Sequence, residues 1–224
     1  MNRARKLLSL LLVLCAVLGC SFPASAASGT CEVFYFSYTG SVGSGGSELI
    51  RRSLNNMGYS ANMYVNTHAY YVRRTMDEDK VFSIVSHGNA GYVVCADNTT
   101  MSAWAVNSDD NNYSLAAWFD RGALSGMKLA YFGACYSAAS SPVYGNLITY
   151  ATGTLGAQCA IGYKESVDTN LATLYEVNLF QNLEKGYTVY SADVLAKKAV
   201  KDSYQRYGGV DSATIAGNSY GVIK

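Results

Sequence analysis

The chain has 224 residues, of which 50% are hydrophobic and only 15% charged, with a formal net charge of +1. That balance fits a globular protein with a full core and excludes a disordered acidic or basic tail. With 2 Pro and 21 Gly and no Gly-X-Y period, collagen-like and Pro-rich architectures fall away as well.

Residues 1–26 read as a secretory signal. Arg3, Arg5 and Lys6 precede an apolar run from Leu7 to Leu18, and Ala24-Ser25-Ala26 supplies small residues for cleavage. The run is shorter than the roughly 20 apolar residues of a retained membrane helix. Val17-Leu18-Gly19-Cys20 loosely resembles a lipobox, so a lipid anchor on Cys20 is the alternative. Cleavage after Ala26 leaves one domain, residues 27–224, with 14 basic and 16 acidic residues. Its basic pairs, such as Arg51-Arg52 and Arg73-Arg74, are isolated, which argues against a nucleic-acid partner. Export sets an oxidising context for Cys31, Cys95, Cys135 and Cys159. Cys31, Cys95 and Cys159 read as packing or disulfide residues, with no pairing chosen.

Along this domain, Glu32 to Tyr38 (EVFYFSY) predicts a strand. A Gly/Ser loop, Gly40 to Ser47, leads into helical spacing from Glu48 to Asn56. A strand at Ala61 to Val65 and a short helix at Tyr70 to Met76 follow. Val81 to Val85 (VFSIV) is a continuous apolar run, as expected of a strand buried on both faces. Residues 91–113 read as a hairpin and a polar loop. Met127 to Phe132 (MKLAYF) and Gln158 to Tyr163 (QCAIGY) are further buried strands, and Asn170 to Leu183 and Val189 to Tyr204 are amphipathic helices. Strands alternating with helices predict a three-layer αβα sandwich with a mostly parallel sheet. Sites in such sheets gather at the carboxyl ends of the strands.

Two strand ends carry chemistry. Ser86-His87-Gly88 follows VFSIV, and Gly133-Ala134-Cys135 follows MKLAYF, so imidazole and thiol each close a buried strand, 48 residues apart. A thiol beside an imidazole is shifted toward the nucleophilic thiolate. The backbone N–H groups of Gly88 and Cys135 are candidate oxyanion donors. Chain order selects among scaffolds. Gly133 to Ser137 faintly resembles a nucleophile elbow, but that fold needs a His downstream of the nucleophile, and none follows Cys135. The papain order fails for the same reason, whereas His first and Cys about 50 residues later is the caspase order.

On VFSIVSHG and LAYFGACYSA the sequence resembles the caspase-like superfamily of cysteine peptidases, which includes caspases, metacaspases, legumains, gingipains and clostripain. The resemblance implies a caspase-like fold from about Glu32 to Tyr207 and a cysteine endopeptidase acting on peptide or protein substrates, with no cofactor. It gives His87 the acid/base role, Cys135 the nucleophile role and Gly88 an oxyanion role. Many members place Gln, Glu or Asp two residues before the nucleophile to recognise the P1 side chain; here Gly133 stands there. The resemblance further points to Thr39 as a wall of the crevice and to Tyr163, Lys164, Glu165 and Asp168 as the stretch where specificity residues gather.

Other readings compete at single features. Thr39-Gly40-Ser41 resembles a flavodoxin phosphate loop, which makes an FMN carrier one alternative and a silent caspase-like binding or adhesion module another. His68 reads as a surface loop residue, and Glu176 and Glu184 as the solvated face of a helix. No zinc motif is present: C-x-x-C and H-E-x-x-H are both missing. The loop Asp109 to Asn112 is a candidate processing site.

Overall fold

The computed structural model describes residues 28–37, 45–105 and 111–224. The signal segment, Thr39, and Asp109 and Asp110 of the candidate processing loop lie outside them. A six-stranded sheet forms the centre, in the order β10-β9-β8-β3-β1-β2. Its strands are β1 (Thr30–Tyr35), β2 (Ser60–Val65), β3 (Asp79–Val85), β8 (Leu129–Gly133), β9 (Cys159–Tyr163) and β10 (Ala213–Gly217). All neighbours pair in parallel except β10, which runs antiparallel to β9 at the edge.

Period-two alternation sends successive side chains of each strand to opposite cores. Cys31 and Val33, Val81, Leu129 and Tyr131, and Cys159 and Ile161 enter one core, under α1 (Gly45–Asn56), α4 (Thr169–Glu184) and α5 (Val189–Tyr204). Their neighbours Phe34, Phe82, Ile84, Ala130, Phe132 and Ala160 enter the other. That second core is closed by α2 (Ala69–Arg74), α3 (Leu147–Gly153) and buried residues of a small sheet. The small sheet comprises β4 (Gly88–Asn89), β5 (Tyr92–Val94), β6 (Thr100–Ser102) and β7 (Asn112–Ser114). The three-layer expectation therefore holds, with helices on both faces of a mostly parallel sheet.

Helix α3 and strand β10 have no counterpart in the sequence reading. In α3 the β-branched residues Ile148, Thr149 and Thr152 mask a helix that Asn146 caps, its Oδ1 accepting from Thr149 N–H at 3.1 Å. The strand β10 is only five residues long and pairs with β9 through Ala213↔Tyr163 to Gly217↔Cys159. The predicted hairpin at 91–113 is the β5–β6 pair of the small sheet, which β7 extends in parallel. Among the described residues no helix is long and apolar enough to cross a membrane.

Candidate active site

The strands β3 and β8 pair in parallel from Val81↔Leu129 to Val85↔Gly133. Beyond the last pair, Ser86 N–H still donates to the Gly133 carbonyl at 3.2 Å. His87 and Cys135 each lie two residues past that pair, at matching heights on neighbouring strands. Their loops meet at Gly88. A Cβ built there would lie 2.8 Å from Ala134 Cβ and 2.8 Å from the Cys135 carbonyl oxygen. Only glycine lets the histidine loop press on the cysteine loop so closely.

Each loop is held from behind. His87 O accepts from Val94 N–H at 2.8 Å, and the Ser86 hydroxyl donates to Val94 O, tying the histidine segment to β5. After Cys135 the chain turns sharply through Tyr136, whose φ of 57° lies in the left-handed region. Ser137 fixes this turn: its hydroxyl donates to Phe132 O at 2.7 Å and accepts from Tyr163 N–H at 3.1 Å. Tyr136 N–H donates to Glu165 O at 3.1 Å. The nucleophile candidate thus sits on a tight turn anchored to both β8 and β9.

Both side chains border a small cleft of about 50 Å³ between these loops and the N-terminal halves of α1 and α4. His87 is exposed and Cys135 half-buried. Val167 N–H donates to Cys135 Sγ at 3.3 Å, and Ser166 Oγ stands 3.8 Å from the sulfur. The other described cysteines are buried, and Cys31 and Cys159 among them are free thiols. Burial pushes the thiols of Cys31 and Cys159 up to about 12 and that of Cys95 well above its ordinary range. Cys31 and Cys159 are packing residues, and the disulfide option for them falls away.

The remaining predicted positions divide. Gly133 lines the cleft, and a Cβ there would lie 2.7 Å from the Tyr131 ring and 3.2 Å from Ile84 O. Tyr163 is a correction: it is fully buried, its hydroxyl 2.9 Å from that of Tyr131, and it presents nothing to a substrate. The Asp168 carboxylate caps α4, accepting from Asn170 N–H at 3.0 Å and Leu171 N–H at 3.3 Å, and pairs with Arg206 at 3.0 Å. Lys164 and Glu165 are exposed. Neither they nor Asp168 are among the residues that line the cleft. His68 does more than sit in a loop: its Nδ1 accepts from Tyr70 N–H at 3.1 Å and caps α2. Among the described residues no group of three His, Cys, Asp or Glu is placed to hold a metal.

Glu176 overturns the solvated-face expectation. It is 2% exposed and lines the cleft floor. Burial raises its carboxyl to about 8, while a hydrogen bond with Tyr131 acts in the opposite direction. The spacing already held this signal. Ala172, Glu176, Leu179, Phe180 and Leu183 follow the helical period, so Glu176 falls on the apolar stripe of α4. Glu184, half-buried, accepts from Asn56 Nδ2 at 2.9 Å.

No protein-family model and no curated relative matches the sequence. Solved structures do match in shape. The Arg-specific cysteine proteinase gingipain R superposes with a TM-score of 0.59 at 12% identity, over 86% of this chain and 46% of that one. Separase from Saccharomyces cerevisiae, in its complex with securin, gives 0.54 at 12% identity over 86% of this chain and 12% of that one. Caspase-1 from Spodoptera frugiperda gives 0.53 at 12% identity over 86% of each chain. The chain thus spans less than half the length of the gingipain and separase chains and most of the caspase chain. These likenesses establish the fold, which is caspase-like.

Proposed function

We propose that the chain is a cysteine endopeptidase, exported after removal of residues 1–26, with Cys135 as nucleophile and His87 as acid/base. One observation carries this reading. The only imidazole and the only non-buried thiol among the cleft-lining residues stand two positions past the Val85↔Gly133 pair on adjacent parallel strands. Two such groups at the carboxyl ends of neighbouring strands form the nucleophile–base pair that acyl transfer needs. The caspase-like fold, shared with three cysteine-peptidase types, supports the same reading.

In the reaction the Cys135 S–H proton passes to His87 as the sulfur attacks the peptide carbonyl carbon. The new C–S bond pushes an electron pair onto the carbonyl oxygen, and the N–H groups of Gly88 and Cys135 are the donors assigned to that oxyanion. His87 then protonates the leaving amine as the C–N bond breaks. Water, deprotonated by His87, attacks the thioester and releases the carboxylic acid with the thiol restored. Val167 N–H, already directed at Sγ, is a further donor that the thiolate can use.

Incubating the full chain with a mixture of unstructured peptides and reading the products by mass spectrometry tests this. Internal cleavage is expected for the unaltered chain. Cys135→Ala and His87→Ala are each expected to lose it by at least about 1,000-fold, as removal of a nucleophile or its base does elsewhere. Undiminished cleavage in either variant contradicts the assignment. A folded chain that cleaves nothing is a binding module instead.

A further inference from the structure

We infer that the free edge of β2 is an interface at which a second copy of this chain adds its own β2 antiparallel, joining the two central sheets about a two-fold axis at Tyr64. β2 ends the six-stranded sheet and pairs with β1 alone. The N–H groups of Ser60 and Asn66 donate toward β1, to Gly29 O and Tyr35 O at 2.9 Å each. Alternation along the strand therefore turns the main chain of Tyr64 toward β1 and that of Met63 and Val65 outward. Among the described residues nothing hydrogen-bonds to those outward groups. Natural sheets blunt such an edge with Lys, Pro, other charges or a bulge. The sequence of β2, SANMYV, holds none of these residues, and its register against β1 runs unshifted from Thr30↔Ser60 to Tyr35↔Val65.

Outward N–H and C=O groups at strand spacing are satisfied by another extended backbone, and this edge is complementary to itself. Met63 and Val65 flank Tyr64 evenly. In an antiparallel copy centred on Tyr64, each Met63 faces a Val65 and the pair exchanges both its N–H···O bonds. The ladder stops where the free groups stop: Ala61 N–H already donates to Asn55 Oδ1 at 3.1 Å, and Asn66, with a φ of 51°, leaves the strand. Tyr64 meets its twin in a non-hydrogen-bonded position, where facing side chains come closest. It is already ordered for that contact, stacked on Phe34 at 5.4 Å with its hydroxyl bonded to the Glu32 carboxyl. Tyr64 and Tyr71 wall a groove of about 300 Å³, and Tyr70 links Tyr71 to Trp118, with ring centres 5.2 and 5.7 Å away. Tyr64, Tyr70, Tyr71 and Trp118 are 36–56% exposed, which at the size of such side chains leaves about 350–400 Å² of aromatic surface per copy. With the strand edge added, that area approaches the roughly 600 Å² per partner at which specific interfaces begin. Like charges do not meet there. Thr75 bonds to Glu32, which sets Arg74 beside the N-terminal half of β2, so the two-fold keeps the two Arg74 side chains at opposite ends. Because the joined strands run antiparallel, the two clefts open in opposite directions, clear of the joined edge.

Sedimentation velocity on the chain recovered after export from a bacterial host tests the inference without requiring turnover. The unaltered chain is expected to show a reversible monomer–dimer equilibrium, as an interface of this size forms. Val65→Pro removes an outward N–H and spares the bonds to β1, a change that edge strands tolerate. It should weaken the dimer by at least about 10-fold, through the loss of one hydrogen bond at each copy, and leave the circular dichroism of the monomer unchanged. Mild oxidation of Tyr64→Cys supplies a second measurement. The two-fold sets the two Cα atoms of position 64 about 4.5 Å apart, within disulfide reach. Those of position 62 lie about 13 Å apart, beyond it. A covalent dimer with its disulfide mapped to position 64 is therefore expected in Tyr64→Cys, and none in Asn62→Cys. A chain that stays monomeric at the highest concentration, a dimer of undiminished strength in Val65→Pro, or equal cross-linking at positions 62 and 64 overturns the inference. None of these readouts involves cleavage, so the interface stands or falls apart from the peptidase reading.

Discussion

Cys135 stands apart from the other described cysteines in both exposure and neighbours. Limited alkylation of the native chain with iodoacetamide, followed by peptide mapping, should therefore modify Cys135 first. Cys31, Cys95 and Cys159 are sealed in the cores with thiols raised by burial, and they should react only on unfolding. Gly88 offers a second test at this scale. Its hypothetical Cβ meets backbone on two sides, the Cys135 and Tyr92 carbonyl oxygens at 2.8 and 2.9 Å, and backbone yields little. Gly88→Ala should lower stability by about 1–3 kcal/mol in urea unfolding and cut activity further, by moving His87 away from Cys135. His87 and Cys135 were legible in the sequence because each ends a continuous apolar run. Glu176 was misread because its charge outweighed its place in the helical spacing. Tyr163 and Asp168 lay in the correct segment, but sequence alone does not show that one side chain turns into the core and the other back onto its own helix.

Helix α4 carries the cleft floor, so what fixes its N-terminus positions Glu176. Asp168 satisfies two of the free N–H groups there. Its partner Arg206 is mostly exposed, so the ion pair adds little beside the cap. Asp168→Ala should cost about 1 kcal/mol and lower Tm by about 2–4 °C, while Arg206→Ala should change Tm far less. Thermal unfolding of the two variants separates cap from ion pair, and equal losses would contradict this division. Helix α5 matches its predicted range, Val189–Tyr204, because Thr188 starts it with an N-cap and amphipathic spacing runs its full length. Helix α3 escaped notice because its short, β-branched segment carries no charged residue to mark the solvated face that Thr149 and Gly153 form. For β10, five residues of ATIAG give too little alternation to stand out, and its strand character comes from pairing with β9.

At the scale of the whole molecule, the parallel sheet gathers the carboxyl ends of β1, β3, β8 and β9 at one edge, and the cleft opens there. The opposite end of β3 carries a burden of its own. Asp79 is 2% exposed, its Oδ2 has no hydrogen-bond partner, and burial together with Glu32, Glu78 and Asp77 pushes its carboxyl up to about 9. A carboxyl raised in the folded state binds its proton more tightly there than in the unfolded chain. Its contribution is therefore fully present below the unfolded value near 4 and is lost as pH rises toward 9. Urea unfolding of the full chain should show this fall between pH 5 and 9, and Asp79→Asn should flatten it. An unchanged slope in Asp79→Asn would place the fall elsewhere.

The account stands on the convergence of His87 and Cys135 across two strand ends. Intact-mass analysis of the full chain after exposure to a set of peptidyl acyloxymethyl ketones that differ in the side chain at the reactive end tests that convergence most directly. The expected result is a single adduct mapped to Cys135, missing in Cys135→Ala and formed at least about 100-fold more slowly in His87→Ala. No adduct on a folded chain, or labelling at an unchanged rate without His87, would contradict it.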